Sequence, residues 1–185
     1  MTAPGPARVL GIDPGTGVMG YGVIEGGGPG RLPKLVECGV IRTNARQPLP
    51  ERLRTIHEGL AELFERHRPA ALAVEDIFYG TNVRTTAVLG HARGVILLSG
   101  ALAGIPVFEY PPATVKKAVT GQGAATKQQV GSMVARLLGL KSAPRPADAA
   151  DGVAVALTHA LRSGPDRQTL AAPGARPAVR RSGAK

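Results

Sequence analysis

The chain has few of the residues that make disulfides, thiolate metal sites or aromatic cores. Cys38 is its single cysteine, which excludes an intrachain disulfide and a cluster of thiolate ligands and suits a reducing cytoplasm. Trp is absent and there are only three Phe and three Tyr, so the core must be aliphatic. Residues 1–7 do not resemble a signal peptide, and no run of about 18 apolar residues predicts a membrane span. We therefore expect a cytoplasmic protein without a membrane segment.

Acidic residues are the other scarcity. The 185-residue sequence has 13 Asp and Glu against 23 Lys and Arg, a formal net charge of +10, which favours nucleic acid as a partner over an anionic membrane. With 43% hydrophobic residues, this length suits one domain with its own core. Pro, Gly, Ala and Arg dominate the C-terminal end without periodicity. We predict a flexible segment at 1–7, a folded domain at 8–163 and a disordered basic tail at 164–185.

Short apolar runs alternate with segments of helical periodicity through the folded domain. The predicted strands are 8–12, 19–24, 35–42, 71–74 and 105–108, and the predicted helices are 50–68, 82–104, 114–119, 127–138 and 147–161. The first three strands are typical of an antiparallel meander, and helices separate the later ones. This order predicts an α/β fold with a five-stranded mixed sheet flanked by helices.

The helix predicted at 82–104 combines interior glycines with a surplus of apolar residues. Each of Gly90, Gly94 and Gly100 costs about 1 kcal/mol in a helix, so close packing against a neighbour is the expected compensation. The surplus favours a two-fold dimer through this helix, with packing in the monomer core as the alternative. The residues concerned are Leu89, Val95, Ile96, Leu97 and Leu102.

Four of the scarce acids lie at the ends of predicted elements. Asp13 follows the first strand, and Glu75 follows the fourth. Asp148 and Asp151 lie one turn apart at the start of the last helix, so both point the same way. Each acid has a plain structural alternative: a turn residue at 13, an ion pair at 75, and favourable charges at a positive helix end. These alternatives explain the acids one at a time but not all four.

Convergence of the four side chains predicts a divalent metal site. Like charges at short distance raise one another's pKa unless cations neutralise them. Oxygen ligands without Cys or His favour Mg²⁺ or Mn²⁺ over Zn²⁺. In so basic a chain, this indicates metal-dependent chemistry on a polyphosphate. The pattern leaves open which of Asp148 and Asp151 binds metal directly.

Five motifs lie at or near these positions: GIDPGT at 11–16, GYGV at 20–23, VEDIF at 74–78, GHARGV at 90–95 and DAAD at 148–151. In order and spacing they resemble the RuvC family of bacterial Holliday junction resolvases, whose fold is ribonuclease-H-like. The resemblance extends over nearly the whole predicted domain.

The resemblance implies a metal-dependent endonuclease of recombination and DNA repair. It implies a homodimer that nicks two strands of a four-way DNA junction symmetrically. Asp13, Glu75, Asp148 and Asp151 would be its catalytic acids and would hold two Mg²⁺ or Mn²⁺ ions in each active site. It also implies a branch-migration complex as partner, made of the RuvA tetramer and the hexameric RuvB motor.

Four further residues are candidates for DNA contact. Phe78 follows Glu75 closely in a chain poor in aromatics, which favours stacking on an unpaired base over a role as a core anchor; the family has a base-contacting aromatic there. Lys127 opposes the dipole at a helix start, which favours phosphate binding. The family also has basic residues at the positions of Lys116 and Lys127, and Arg84 is a further candidate. Arg52 fits a solvated surface charge.

Two other classes of function compete with a nuclease. In an actin-like ATPase the DPGTG segment at 13–17 would hold a phosphate, but such proteins need two domains of this kind. In a non-catalytic junction-binding module the four acids would be liabilities. Cleavage of a synthetic four-way junction in the presence of Mg²⁺ or Mn²⁺ distinguishes the three.

Overall fold

A computed structural model describes residues 7–26, 32–77 and 83–163, without the side chains of residues 83 and 84. The predictions for 1–6, for the tail at 164–185 and for Phe78 lie outside these residues. The strands are β1 (Arg8–Asp13), β2 (Val18–Glu25), β3 (Lys34–Arg42), β4 (Ala71–Glu75) and β5 (Val107–Tyr110). The helices are α1 (Leu49–His67), α2 (Val83–Leu102), α3 (Pro112–Thr120), α4 (Lys127–Leu137) and α5 (Ala147–Arg162).

The five strands form one mixed sheet in the order β3-β2-β1-β4-β5, which confirms the predicted fold class. Strands β1 to β3 are the predicted antiparallel meander. Strand β4 is parallel to β1 on one side and to β5 on the other. Ile12 pairs with Val74, so the next residues, Asp13 and Glu75, end neighbouring strands at the same edge of the sheet.

Apolar side chains fill the face of the sheet that α1 and α2 cover. Leu10, Ile12 and Leu72 are fully buried there against Ile56 of α1 and Ile96 of α2. Because side chains alternate along a strand, Asp13 and Glu75 point to the opposite face. Helix α5 crosses that face, and α3 and α4 pack beside it.

Helix α5 rests directly on the backbone of the sheet because glycines form the contact. A Cβ atom built on Gly20 would lie 1.8 Å from the carbonyl oxygen of Asp148, and one on Gly11 would lie 2.3 Å from the amide nitrogen of Ala156. On the helix side, a Cβ on Gly152 would lie 2.6 Å from the Cα of Tyr21. These glycines bring the first turn of α5 to the carboxyl end of β1.

The end of α2 differs from the prediction. The helix stops at Leu102, and Gly104 adopts a positive φ of 69°. The amide of Ile105 donates to the carbonyl of Gly100, and that of Gly104 donates to the carbonyl of Ala101, which is a Schellman cap. The cap occupies residues that we expected at the start of β5. The strand at 105–108 is therefore wrong by two residues at each end.

Helix α2 exposes an apolar face to solvent. Gly100 packs closely, since a Cβ there would lie 2.7 Å from Val107, but no described atom lies within 4 Å of a Cβ on Gly90 or Gly94. Leu98 and Leu102 are 57% and 64% exposed. Within the described residues, Thr85–Leu102 is long and apolar enough to cross a membrane by length and composition, although Ala92 and Ile96 pack in the core.

Candidate active site

Asp13 and Glu75 form a pair of carboxyl groups at the edge of the sheet. They lie close enough for each to affect the ionisation of the other. Burial, followed by repulsion from Asp151, raises the pKa of Asp13 to about 6. Burial and the charge of Asp13 raise the pKa of Glu75 to about 8. Near neutral pH the pair therefore holds a proton that ordinary carboxylates would have lost.

Asp148 and Asp151 reach this pair from the first two turns of α5. Asp13, Asp148 and Asp151 each contribute one carboxylate oxygen to a group whose three oxygens lie within 4.8 Å of one another. Glu75 lies outside this closest group, but the charges of Asp13 and Asp151 both raise its pKa. The structure thus brings together the four acids that the sequence singled out.

The chemistry of this donor set fits hard divalent cations. The closest group contains carboxylate oxygens from Asp13, Asp148 and Asp151, and no His or Cys belongs to it among the residues described. Oxygen donors of this kind suit Mg²⁺ or Mn²⁺. Burial and mutual repulsion make the ionised acids costly, and bound cations would remove that cost.

Lys127 is a cation beside the acids. Its Nζ lies 2.8 Å from Oδ2 of Asp151, and the ion pair with Asp151 raises the pKa of Lys127. Thr126 and Gln129 cap the helix that carries it with a reciprocal pair of hydrogen bonds. The side chain of Lys127 is 78% exposed, so its ammonium is open to solvent as well as to the acids.

An open cleft of about 340 Å³ leads from solvent to the acids. Asp13, Glu75 and Asp151 line it together with Lys116 and Lys127, so both predicted lysines face the cleft. Asp148 does not line it. Phe78 and the side chain of Arg84 lie outside what the structure describes, and their roles stay predictions.

Arg52 has a role that the sequence did not reveal. Rather than lying free in solvent, it donates through Nη2 to the carbonyl of Thr16 at 2.5 Å and through Nε to Oγ1 of Thr43 at 3.1 Å. The amide of Thr43 donates to the carbonyl of Gly17 at 3.0 Å. These bonds fix the loop that follows Asp13. The sequence did contain one signal of this role: Arg52 is a cation in the first turn of a helix, where its charge opposes the helix dipole.

A second arginine organises the residue next to Glu75. Arg93 of α2 lies with Nε 3.3 Å from Oδ1 of Asp76, and its Nη2 donates to Glu109 of β5. The amide of Asp76 donates to the carbonyl of Tyr110 at 2.8 Å. Asp76 also lines the cleft, but its carboxylate is engaged by Arg93.

Comparisons with known proteins agree with this geometry. The family model described as Crossover junction endodeoxyribonuclease RuvC matches residues 9–159. The Crossover junction endodeoxyribonuclease RuvC of Chloroflexus aggregans is 52% identical over 153 residues, which cover 83% of this chain and 92% of that relative. The structure of Thermus thermophilus RuvC aligns with a TM-score of 0.77 at 41% identity, over 83% of this chain and 93% of the other. The same protein in complex with a Holliday junction substrate aligns with a TM-score of 0.75 at 38% identity, with the same coverage.

Proposed function

The chain belongs to the RuvC family of crossover junction endodeoxyribonucleases, and we propose that Asp13, Glu75, Asp148 and Asp151 are the catalytic acids with which it resolves Holliday junctions. The enzyme is a nuclease acting on four-way DNA junctions, and metal dependence is consistent with its family. The observation that carries the assignment is the convergence of acids from β1, β4 and α5 at the base of one cleft.

The four acids would hold two Mg²⁺ or Mn²⁺ ions. Asp13 belongs to the closest group with Asp148 and Asp151 and also acts on Glu75, so it would be a ligand of the metal centre. Bound there, the ions would activate a water molecule and stabilise the leaving oxygen of the phosphodiester. The residues themselves supply the fixed geometry: neighbouring strand ends hold Asp13 and Glu75, and the close seat of α5 holds Asp148 and Asp151.

The cleft residues would position the DNA strand beside the acids. Lys116 and Lys127 line the cleft and would pair with phosphates on either side of the cleavage point. Phe78 would stack on a junction base and Arg84 would contact the backbone, by resemblance to the family. For Thermus thermophilus RuvC, the Holliday junction is the substrate in the complex.

The exposed face of α2 supports a homodimer. Leu98 and Leu102 are exposed, and a groove beside α1 is lined by Gly90, Gly94 and Val95. Small residues permit a second helix to approach closely, and a two-fold dimer would place two sites on the two equivalent strands for symmetric nicks. Leu102→Glu should give a monomer by light scattering, whereas Leu161→Glu, at an exposed leucine of α5, should not.

The cellular setting follows from the family. The enzyme would act in the bacterial cytoplasm on junctions that RuvA and RuvB move by branch migration. Addition of these two proteins should raise the rate of resolution on a junction with mobile arms, measured against the enzyme alone.

Cleavage of a synthetic four-way junction tests the catalytic assignment. The wild-type chain should nick the junction in Mg²⁺ and leave a linear duplex of the same sequence intact. Asp13→Asn should abolish nicking while junction binding persists, because it removes charge from the acid centre and leaves the basic cleft. Glu58→Gln, at an exposed acid of α1, is the matched control. Nicking by Asp13→Asn at the wild-type rate would refute the assignment.

A further inference from the structure

Two adjacent acids, Glu75 and Asp76, lie at the end of β4, and both line the cleft. Strand alternation directs Glu75 to the face of Asp13, but a shift of one residue at this strand end would exchange the directions of the two acids. Both are carboxylates, so their surroundings also bear on which one joins Asp13.

Arg93 supplies that distinction. Its side chain, 29% exposed, lies between Asp76 and Glu109 and contacts both. Strand β5 holds Glu109, and its Tyr110 carbonyl also accepts the amide of Asp76. Arg93 thus holds the Asp76 carboxylate in an ion pair from the α2 side of the sheet.

Among the described residues, Glu75 has no ion pair of this kind. Its carboxyl lies near Asp13 on the face that α5 covers, and the charge of Asp13 raises its pKa. Lys127 acts on Glu75 from that face, but its ammonium is paired with Asp151. The two neighbours at the end of β4 are therefore in opposite electrostatic surroundings.

We propose that Arg93 is a positioning residue that selects Glu75 over Asp76 as the β4 carboxylate of the acid centre. The inference rests on the proposed function of Glu75 and adds the device that presents it. Without Arg93, the Asp76 carboxylate is free to turn into the cleft and compete with Glu75. Arg93 also lies on α2, so the helix with the exposed apolar face reaches the catalytic edge through this residue.

Rescue by a second substitution tests the selection. Arg93→Gln should lower the rate of nicking at saturating junction by about 10- to 100-fold, the cost of misplacing a catalytic group, with little change in junction affinity. Adding Asp76→Asn removes the competing charge and should restore the rate to within about threefold of wild type. The rescue is measured relative to Asp76→Asn alone, which shows what loss of this charge does by itself.

Glu109→Gln is the matched control for charge balance. It also removes one negative charge beside residue 93, but at a position that cannot reach Glu75's place. Combined with Arg93→Gln, it should leave the rate low. The affinity for Mn²⁺ without DNA, measured by calorimetry, should fall in Arg93→Gln and return with Asp76→Asn but not with Glu109→Gln.

The outcomes separate this inference from the proposed function. A normal rate in Arg93→Gln, or equal rescue by Asp76→Asn and Glu109→Gln, overturns the selection and leaves Arg93 a structural ion-pair residue. Asp13→Asn tests the catalytic acids independently of Arg93. If Arg93→Gln does not fold, Arg93→Lys can enter the same cycle, since one ammonium cannot bridge both acids as the guanidinium does.

Discussion

Two glutamates in the same sheet have opposite surroundings. Glu37 on β3 accepts hydrogen bonds from Tyr21 at 2.8 Å, Arg66 at 2.9 Å and His67 at 2.7 Å. Burial opposes its ionisation, but these donors outweigh burial and hold the pKa of Glu37 below its ordinary value. At Glu75 burial acts together with the Asp13 charge, and the pKa rises to about 8.

The contrast distinguishes an acid that stabilises the fold from an acid whose charge the fold disfavours. The donors around Glu37 connect β2, β3 and the end of α1, so its charge contributes to stability. The acids around Glu75 repel one another, although Asp151 is paired with Lys127. Clusters with such raised pKa values are common at functional sites.

The same substitution at the two glutamates sharpens the comparison, and Glu75→Gln has the larger effect. We expect the single-turnover nicking rate in Mg²⁺ to fall about 10³-fold, because a neutral amide replaces a ligand carboxylate. The thermal midpoint without metal should not fall, since the site disfavours a charge at this position and the substitution puts a neutral side chain there. A nicking rate within tenfold of wild type would show that Glu75 is not a ligand.

Gly20→Ala breaks the arrangement that brings the acids together. The new Cβ would overlap the carbonyl oxygen of Asp148, so α5 must move away from β2. We expect a loss of about 3 kcal/mol in the free energy of unfolding by urea denaturation, together with loss of nicking. Gly123→Ala is the control, because its nearest neighbour is the carbonyl oxygen of Ala113 at 3.5 Å, an ordinary contact. Equal stability of the two variants would contradict the close seat of α5.

The acid centre predicts an unusual pH dependence of stability without metal. The pKa of Asp13 rises from the ordinary 3.8 to about 6 in the folded chain, and that of Glu75 rises from 4.5 to about 8. Between the ordinary and the raised values, the folded chain therefore binds more protons than the unfolded chain. Raising the pH from 6 to 8 therefore lowers the free energy of unfolding, by about 2 kcal/mol in EDTA. Saturating Mg²⁺ and Glu75→Gln should each flatten this slope. Stability that rises over this range would contradict the raised pKa values.

Glu37→Gln has the smallest expected effect. The amide still accepts a hydrogen bond from Tyr21 but loses its charge beside Arg66 and His67, at a cost of about 1–2 kcal/mol by urea denaturation. The nicking rate of the folded protein should equal that of wild type. A rate loss like that of Glu75→Gln would erase the distinction between the two glutamates.

The sequence was sufficient for most of the fold and for the acids. Strand and helix ends are local signals, and four rare acids at such ends, one pair spaced by a helical turn, indicate a common site. The loop after Asp13 was not predictable in the same way, since Arg52 and Thr16 are 36 residues apart and nothing local to Arg52 identifies its acceptor. The partners of Arg93 depend equally on how α2 crosses β4 and β5.

The errors at α2 arose from competing local signals. Ile105 is apolar and β-branched, which favours a strand, but Gly104 at positive φ favours a helix cap, and the cap prevailed. The glycines of α2 also differ in their surroundings. At Gly100, close packing against Val107 compensates for the free-energy cost of a glycine in a helix. At Gly90 and Gly94, a Cβ atom would have no neighbour within 4 Å in the described part of the chain.

The main-chain contact between α5 and the sheet limits which substitutions this sequence can accept during evolution. Gly11, Gly20, Gly22 and Gly152 bear no reactive group, yet any side chain at them collides with backbone or, at Gly22, with Val153. In a saturation library scored for junction cleavage, these four sites should be as intolerant as the acids. A sequence search for homologues that requires only the carboxylates would also accept inactive homologues that have lost the glycines.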